Sequence, residues 1–312
     1  MLTGETVLIT GGTGSFGRAF IAHVLATEPT CQVVSLSRNA EMRYRLERAH
    51  LEAVEVGRLR VVPGDVRQVS DLADLADFGI TTAIHAAAEK HIGTGEKFQR
   101  YTHDVIVNGT RHVLAFARTV KARVLALSTD KACDPINYYG QCKAEAERLV
   151  IDAGGSLVRY GNVVASSGSV VPLFLEQRKS GVLTVTDRRM TRFAMPLEPG
   201  SNIPSAVEIV LDALASMRGG EIFVPAIPSH RVQDLAKAIG ADCRIEEIGI
   251  RPGEKLHEAL ISPREAERAW ERFEGGWVIL PTPDVVWPRG RRVPAGFSYS
   301  SDQRPLLVRW AA

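Results

Sequence analysis

Short apolar runs alternate with longer stretches of helical periodicity through the first half of the chain. The runs are TVLIT, CQVVSLS, RLRVVPG, TAIHAA, RVLALST and SLVRYGNVV. They are nearly continuous in apolar character and show no in–out alternation, which predicts strands buried on both faces. Between them the pattern predicts helices near residues 15–27, 39–56, 68–77, 97–119 and 137–152. Strand–helix alternation of this kind predicts an α/β protein with a Rossmann-type doubly wound parallel sheet. From about residue 166 the pattern changes. Gly, Pro and Arg gather in SSGSVVP, TDRRMTRFAMPLEPG, PAIPSH and GIRPGEKLHE, around helices expected near 203–217 and 231–239. The expected division is a Rossmann unit over 1–165 and a smaller, loop-rich region over 166–312, with some elements of the second returning to the first unit's sheet. The segment WPRGRRVPAGFSYSSDQRP near the C-terminus reads as an extended, solvated surface stretch.

The first strand runs into LITGGTGSFGRAF, in which Gly11, Gly14 and Gly17 are spaced GxxGxxG. The first glycine allows a sharp turn, the second lets a pyrophosphate approach the backbone, and the third lets helix and sheet pack closely. N–H groups at the start of the following helix favour an anion there. A dinucleotide site is therefore expected, with Thr13, Ser15 and Phe16 in the same loop. An acidic residue at the end of the second strand would select NAD. Here that strand ends SLSRNAEMR: Ser37 is followed by Arg38, and Arg43 comes about a turn later. Guanidinium groups suit a 2′-phosphate, so NADP is the expected cofactor. Asp65 and Val66, in PGDVR, end the third strand within reach of an adenine. Ala86, Ala87 and Ala88, after the fourth, are small enough for a cofactor to lie against the backbone.

Composition narrows the picture chiefly by exclusion. A net charge of +2 with Lys and Arg dispersed along 312 residues gives no nucleic-acid footprint. The four cysteines lack CxxC or His-paired spacing, so no metal site is expected and reduced thiols in a cytoplasmic protein are the plain reading. No apolar stretch approaches the roughly 20 residues that span a bilayer, and the N-terminal ETVLITGG reads as a strand, not a cleavable signal.

The stretch LSTDKACDPINYYGQCK carries the candidate chemistry. Tyr139 and Lys143 are spaced i, i+4 and share a helix face. A tyrosine beside an ammonium can take a proton from a sugar hydroxyl as hydride leaves for nicotinamide. Tyr138 is expected to pack. Asp130 and Lys131 stand at the carboxyl end of a strand, where open α/β sheets place ligands. Simple oxidation or 4-epimerisation does not need them. A dehydration across C5–C6 of a hexose does: once C4 is a ketone, a base removes the C5 proton and an acid protonates the leaving C6 hydroxyl. Lys131 as base and Asp130 as acid fit, provided burial or a nearby cation lowers the lysine's pKa.

These residues, with TGGTGSFG, HAAAEKH, VRYGNV, RMTRF, RPGEKLHE and FSYSSD, resemble the inverting UDP-N-acetylglucosamine 4,6-dehydratases. Those are extended short-chain dehydrogenase/reductase enzymes of polysaccharide and nonulosonate biosynthesis. The resemblance runs in order over nearly the whole chain. It implies a catalytic set of Thr129, Asp130, Lys131, Tyr139 and Lys143, recycled NADP, and a UDP-sugar held around Lys90, Asn162, Val171, Thr184, Arg192, Arg251 and Glu254. It also implies a homo-oligomer. The chain departs from the family pattern at Glu89, at Val105 and Ile106, and at Ala194 and Pro196. All lie near cofactor or sugar, so they bear on which sugar is accepted. The alternatives are an epimerase or dehydratase for another nucleotide sugar, or a non-catalytic sensor of NADP.

Overall fold

A computed structural model describes residues 2–164 and 169–303. Part of the SSGSVVP segment and the expected 165/166 boundary lie outside the described residues, as does everything beyond Gln303. The six expected strands are present: β1 (Thr6–Thr10), β2 (Gln32–Ser37), β3 (Leu59–Pro63), β4 (Thr82–His85), β5 (Arg123–Thr129) and β6 (Ser156–Tyr160). The first unit ends with β7 (Asn162–Val163), and the second region supplies β8 (Val182–Val185), β9 (Thr191–Met195), β10 (Ile222–Val224), β11 (Ser229–Arg231), β12 (Arg244–Glu247), β13 (Ala259–Ile261), β14 (Ala269–Arg272), β15 (Trp277–Ile279), β16 (Gly290–Arg292) and β17 (Tyr299–Ser300).

One sheet dominates, in the order β16-β14-β15-β10-β6-β5-β4-β1-β2-β3. The strands from β10 to β3 are parallel. β15, β14 and β16 extend it antiparallel. The chain works outward from β1 to β3, then crosses to β4 on the other side of β1. The order reverses between β1 and β4, and a crevice opens there beyond the strands' carboxyl ends. Both faces are covered. Phe20, Ile21 and Val24 of helix Ser15–Thr27 and Val207, Val210 and Leu214 of helix Ala206–Ser216 pack in one cluster. Leu72, Val113, Phe116 and Ala117 pack in another. Two-sided burial is why these strands lack alternation.

Three expected helices depart from their predicted extents. The one over 39–56 breaks at His50 into Ala40–Ala49 and Leu51–Glu55, which turns Ala53 and Val54 onto the core. The one over 68–77 is a single turn, Val69–Ala73, followed by a 3-10 turn at Ala76–Phe78. The one over 97–119 starts early, at Ile92, breaks at Phe98, and contains a π-helical turn at Asp104–Asn108. Val105, Ile106 and Val107 are all buried there; a wide turn directs three consecutive apolar side chains inward. The C-terminal stretch corrects the sequence reading more seriously. It is only partly solvated: between exposed residues, β16 pairs with β14, β17 pairs with β13, and Trp287, Val293, Tyr299 and Ser301 are buried. The Tyr299 ring stacks 4.3 Å from Trp277 and 4.9 Å from Phe193, centroid to centroid. Its apolar residues are spaced to fit a sheet edge and an irregular return, so no helical or strand period reveals them.

Candidate active site

Gly11 follows β1 at φ +72, and a Cβ there would lie 3.0 Å from the Ala87 Cα after β4. The two strand ends thus approach backbone to backbone. A Cβ on Gly17 would fall 2.4 Å from the Gly12 Cα, so helix Ser15–Thr27 can seat on the loop only with glycine there. That helix has Gly14 as N-cap, and no side chain caps it. Its first N–H groups face the crevice and favour an anion. Thr13 N–H donates to Ser37 Oγ at 3.1 Å and ties the loop to the end of β2.

A cavity of about 1090 Å³ runs from this loop to the second region. It is lined by Gly11, Thr13, Gly14, Ser15, Phe16, Gly17, Ser37, Arg38, Asp65, Val66, Ala86, Ala87, Ala88 and Lys90. Asn162, Val171, Thr184, Arg192, Arg251 and Glu254 line it farther along, with Thr129, Lys131, Tyr139 and Lys143 between. The glycine cradle, the uncapped helix start and the small residues after β4 fit a nicotinamide dinucleotide. Two expected site residues stand back from the wall. Arg43 donates to the carbonyls of Ser37 (2.8 Å) and Arg38 (2.6 Å), so it fixes the end of β2. Arg38 itself is exposed, donates to Tyr101 Oη at 3.1 Å and lies 3.7 Å from Asp65 Oδ2. Asp130 is the second: it is completely buried behind Thr129 and Lys131.

The helix of the Tyr139–Lys143 pair, Tyr138–Asp152, starts where Asn137 Oδ1 accepts from Gly140 N–H at 2.7 Å. Asn137 Nδ2 also donates to the Gly253 carbonyl at 2.8 Å, joining this helix to the RPGEK loop. A Cβ on Gly140 would sit 2.3 Å from the Lys131 carbonyl, so glycine allows the helix to close on the STDK turn. Tyr138 is half-buried against Ile106, Val107 and Cys142. Tyr139 and Lys143 share the cavity face. Lys143 Nζ donates to the Leu127 carbonyl at 2.7 Å, and burial brings its pKa down to about 8.

Electrostatics corrects two expectations. Burial pushes the Tyr139 phenol up to about 12, and the cation that most opposes this is Lys131, not Lys143. Thr129 is also within hydrogen-bond reach of the phenol, although its one hydroxyl proton is directed to Asp130. Lys131 is not depressed. Burial disfavours its charge, but the Asp130 and Glu258 carboxylates outweigh that and hold it above the ordinary lysine range. Its Nζ lies 2.9 Å from Asp130 Oδ1 and 3.4 Å from Glu258 Oε1. Thr129 Oγ1 donates to the same Asp130 oxygen at 3.0 Å.

Glu258 was not singled out from the sequence, although it ends the RPGEKLHE motif. A buried acid in a charged motif reads as a solvated face until the fold buries it. His230, which lines the cavity, was also missed, because a lone histidine after PAIPS carries no motif; Glu89, noted as a departure from the family pattern, lines it too. Behind the site, Arg159 is 2 % exposed; it donates to Glu147 Oε1 of the Tyr139–Lys143 helix (2.9 Å), to Glu265 Oε2 (3.0 Å) and to the Leu260 carbonyl (3.0 Å). Among the described residues no cluster of His, Cys, Asp or Glu could hold a metal ion, and no helix is long and apolar enough to cross a membrane.

A glycine-cradled crevice at the switch point, a Tyr–Lys pair on the following helix and a cavity wall from an added C-terminal region define an extended short-chain dehydrogenase/reductase. A family model described as polysaccharide biosynthesis protein matches residues 7–275. The chain is 37 % identical to a UDP-N-acetylglucosamine 4,6-dehydratase (inverting) from Campylobacter jejuni, over all of this chain and 96 % of that protein. It is 36 % identical to a UDP-glucose 4-epimerase from Rickettsia felis, over 90 % of this chain and 84 % of that protein. The solved structure of Pen from Bacillus thuringiensis superposes with a TM-score of 0.88 at 30 % identity, covering 98 % of this chain and 95 % of that one. The chain belongs to the polysaccharide biosynthesis protein family that includes the inverting UDP-N-acetylglucosamine 4,6-dehydratases.

Proposed function

We propose that this protein is a nucleotide-sugar 4,6-dehydratase, that its substrate is UDP-N-acetylglucosamine, that it inverts C5, and that it uses NADP. The observation that carries this reading is the Asp130–Lys131 pair, bonded at 2.9 Å beside Tyr139. Oxidation at C4 alone has no use for it. A bound nicotinamide dinucleotide supplies hydride acceptance at C4 and hydride return to C6.

The chain's residues move the protons. Tyr139 takes the C4 hydroxyl proton, helped by the Lys131 charge, which opposes the burial that disfavours its phenolate. Transfer of a proton from the Lys131 ammonium to the Asp130 carboxylate then yields an amine and a carboxylic acid. The amine takes the C5 proton, made acidic by the C4 ketone. The acid protonates the C6 hydroxyl, which leaves as water, and the pair is ammonium and carboxylate again. Asp130 reaches the cavity through Thr129 Oγ1, which lies on the wall and 3.0 Å from Asp130 Oδ1. Tyr139, now a phenol, delivers its proton to C5 from the face opposite Lys131, which inverts that centre and restores the tyrosine for the next turnover. Arg192 and Arg251 carry fixed charge for the diphosphate, and Lys90, Asn162, Val171, Thr184 and Glu254 line the sugar–nucleotide path.

NADP is favoured because Arg38, and no acid, follows β2 at the cavity edge. Titration should give a Kd for NADP at least tenfold below that for NAD. The cytoplasmic location and homo-oligomeric assembly belong to the same proposal; light scattering of the purified protein tests the latter. The decisive assay is a proton NMR time course with UDP-N-acetylglucosamine in deuterated buffer. A new 6-methyl signal, deuterium at C5 and L-arabino couplings are expected. Retained D-xylo couplings would refute inversion. A C4 epimer without a methyl signal would favour the second reading, 4-epimerisation, which the relatives named as UDP-glucose 4-epimerases support.

A further inference from the structure

Glu258 lies next to β13, 2 % exposed, at the back of the cavity. Its Oε1 is 3.4 Å from Lys131 Nζ, the same ammonium that lies 2.9 Å from Asp130 Oδ1. Its Oε2 has no hydrogen-bond partner among the described residues and lies 3.9 Å from Lys255 Nζ. Arg192 also acts on it from β9. Lys255 is itself committed to the Cys133 carbonyl at 2.6 Å. The backbone around Glu258 is clamped: its N–H donates to Ser301 Oγ at 2.9 Å, and Ser301 N–H returns a bond to its carbonyl at 2.8 Å. Ser301 Oγ is also 2.7 Å from Thr191 Oγ1, beside Arg192. Such a clamp holds a costly buried carboxylate at one particular cation.

We propose that Glu258 is a positioning residue for the acid–base pair: with Asp130 it forms a carboxylate bracket on the Lys131 ammonium, and its negative charge sets how the proton is shared between Lys131 and Asp130. The inference rests on the dehydratase reading for its purpose, but not for its geometry. The bracket keeps Lys131 cationic at rest, where it supports the Tyr139 phenolate, and makes its conversion to the amine depend on Asp130 accepting the proton. The role also assigns a task to the Ser300–Ser301 return, far along the chain from the Tyr139–Lys143 helix.

The test reads the amine directly. Only neutral amines acylate, so brief acetic anhydride labelling of the purified protein at pH 8, with mass spectrometry of the Lys131 peptide against exposed Lys121, reports the neutral fraction. Glu258→Gln removes the charge and keeps the shape; Lys131 labelling should rise at least tenfold. Glu258→Asp keeps the charge but shortens the side chain, so labelling should rise less than about threefold. If the effect were only loosened packing, the shorter aspartate would match or exceed the glutamine. That result, or unchanged labelling in Glu258→Gln, would overturn the proposal. The measurement needs no turnover, so it stands apart from the dehydration assay. If wild type also makes the 6-methyl product, the alkaline limb of its pH profile should move to lower pH in Glu258→Gln and stay in place in Glu258→Asp.

Discussion

Lys143→Met should make the protein more stable at neutral pH while abolishing turnover. Burial of Lys143 lowers its pKa from the ordinary 10.5 to about 8. At ~1.36 kcal/mol per pH unit, holding that ammonium in the folded state opposes folding by up to ~3.4 kcal/mol. This is an upper bound, because one side of Lys143 opens to the cavity. Methionine loses the 2.7 Å bond to the Leu127 carbonyl, worth about 1–1.5 kcal/mol. The net expectation is a gain near ~2 kcal/mol, or roughly 2–6 °C in Tm. The sign follows from linkage. Below pH 8 both folded and unfolded lysine are charged and the full penalty is present. As pH rises from 8 to 10.5 the folded lysine is already neutral, and the penalty falls to zero. Differential scanning calorimetry of wild type and variant at pH 7, 8.5 and 10 should show the gap shrinking. A variant less stable than wild type at pH 7, or a gap that does not change with pH, would refute the reasoning.

Tyr139→Phe should remove the absorbance of reduced nicotinamide formed on sugar addition by at least a hundredfold, while dinucleotide Kd stays within about twofold. Gly17→Ala places a Cβ 2.4 Å from the Gly12 Cα and carbonyl oxygen, so dinucleotide binding followed by fluorescence should be lost even in protein that remains folded. Arg159→Leu leaves Glu147 and Glu265 buried without their partner; urea unfolding should show a loss of about 3–5 kcal/mol. The double variant that also carries Glu147→Gln should recover part of it.

The parallel half of the fold was legible because its signals are local. A buried strand declares itself by composition, and GxxGxxG and the Tyr139–Lys143 spacing work through neighbours a few residues apart. The π-turn at Asp104–Asn108 and the break at His50 were not legible, because tertiary packing chose the turn width and not the helical period. The C-terminal return was misread for a related reason. Tyr299 is buried by Trp277 and Phe193, partners that no sequence window brings together.

The sequence by itself determined the fold class, the glycine loop and the candidate groups for proton transfer, since each follows from residue type at short spacing. Only the tertiary structure decided their protonation balance. Lys131 fits as a base only with a lowered pKa, yet it is held charged by Asp130, its neighbour in the chain, and by Glu258, which arrives from more than a hundred residues away. Asp130 reads as an acid at the ligand end of a strand, and only the fold shows it completely buried behind Thr129. A side chain's chemistry is written in its own atoms, but its pKa is written in the charges around it, and those are assembled by the fold.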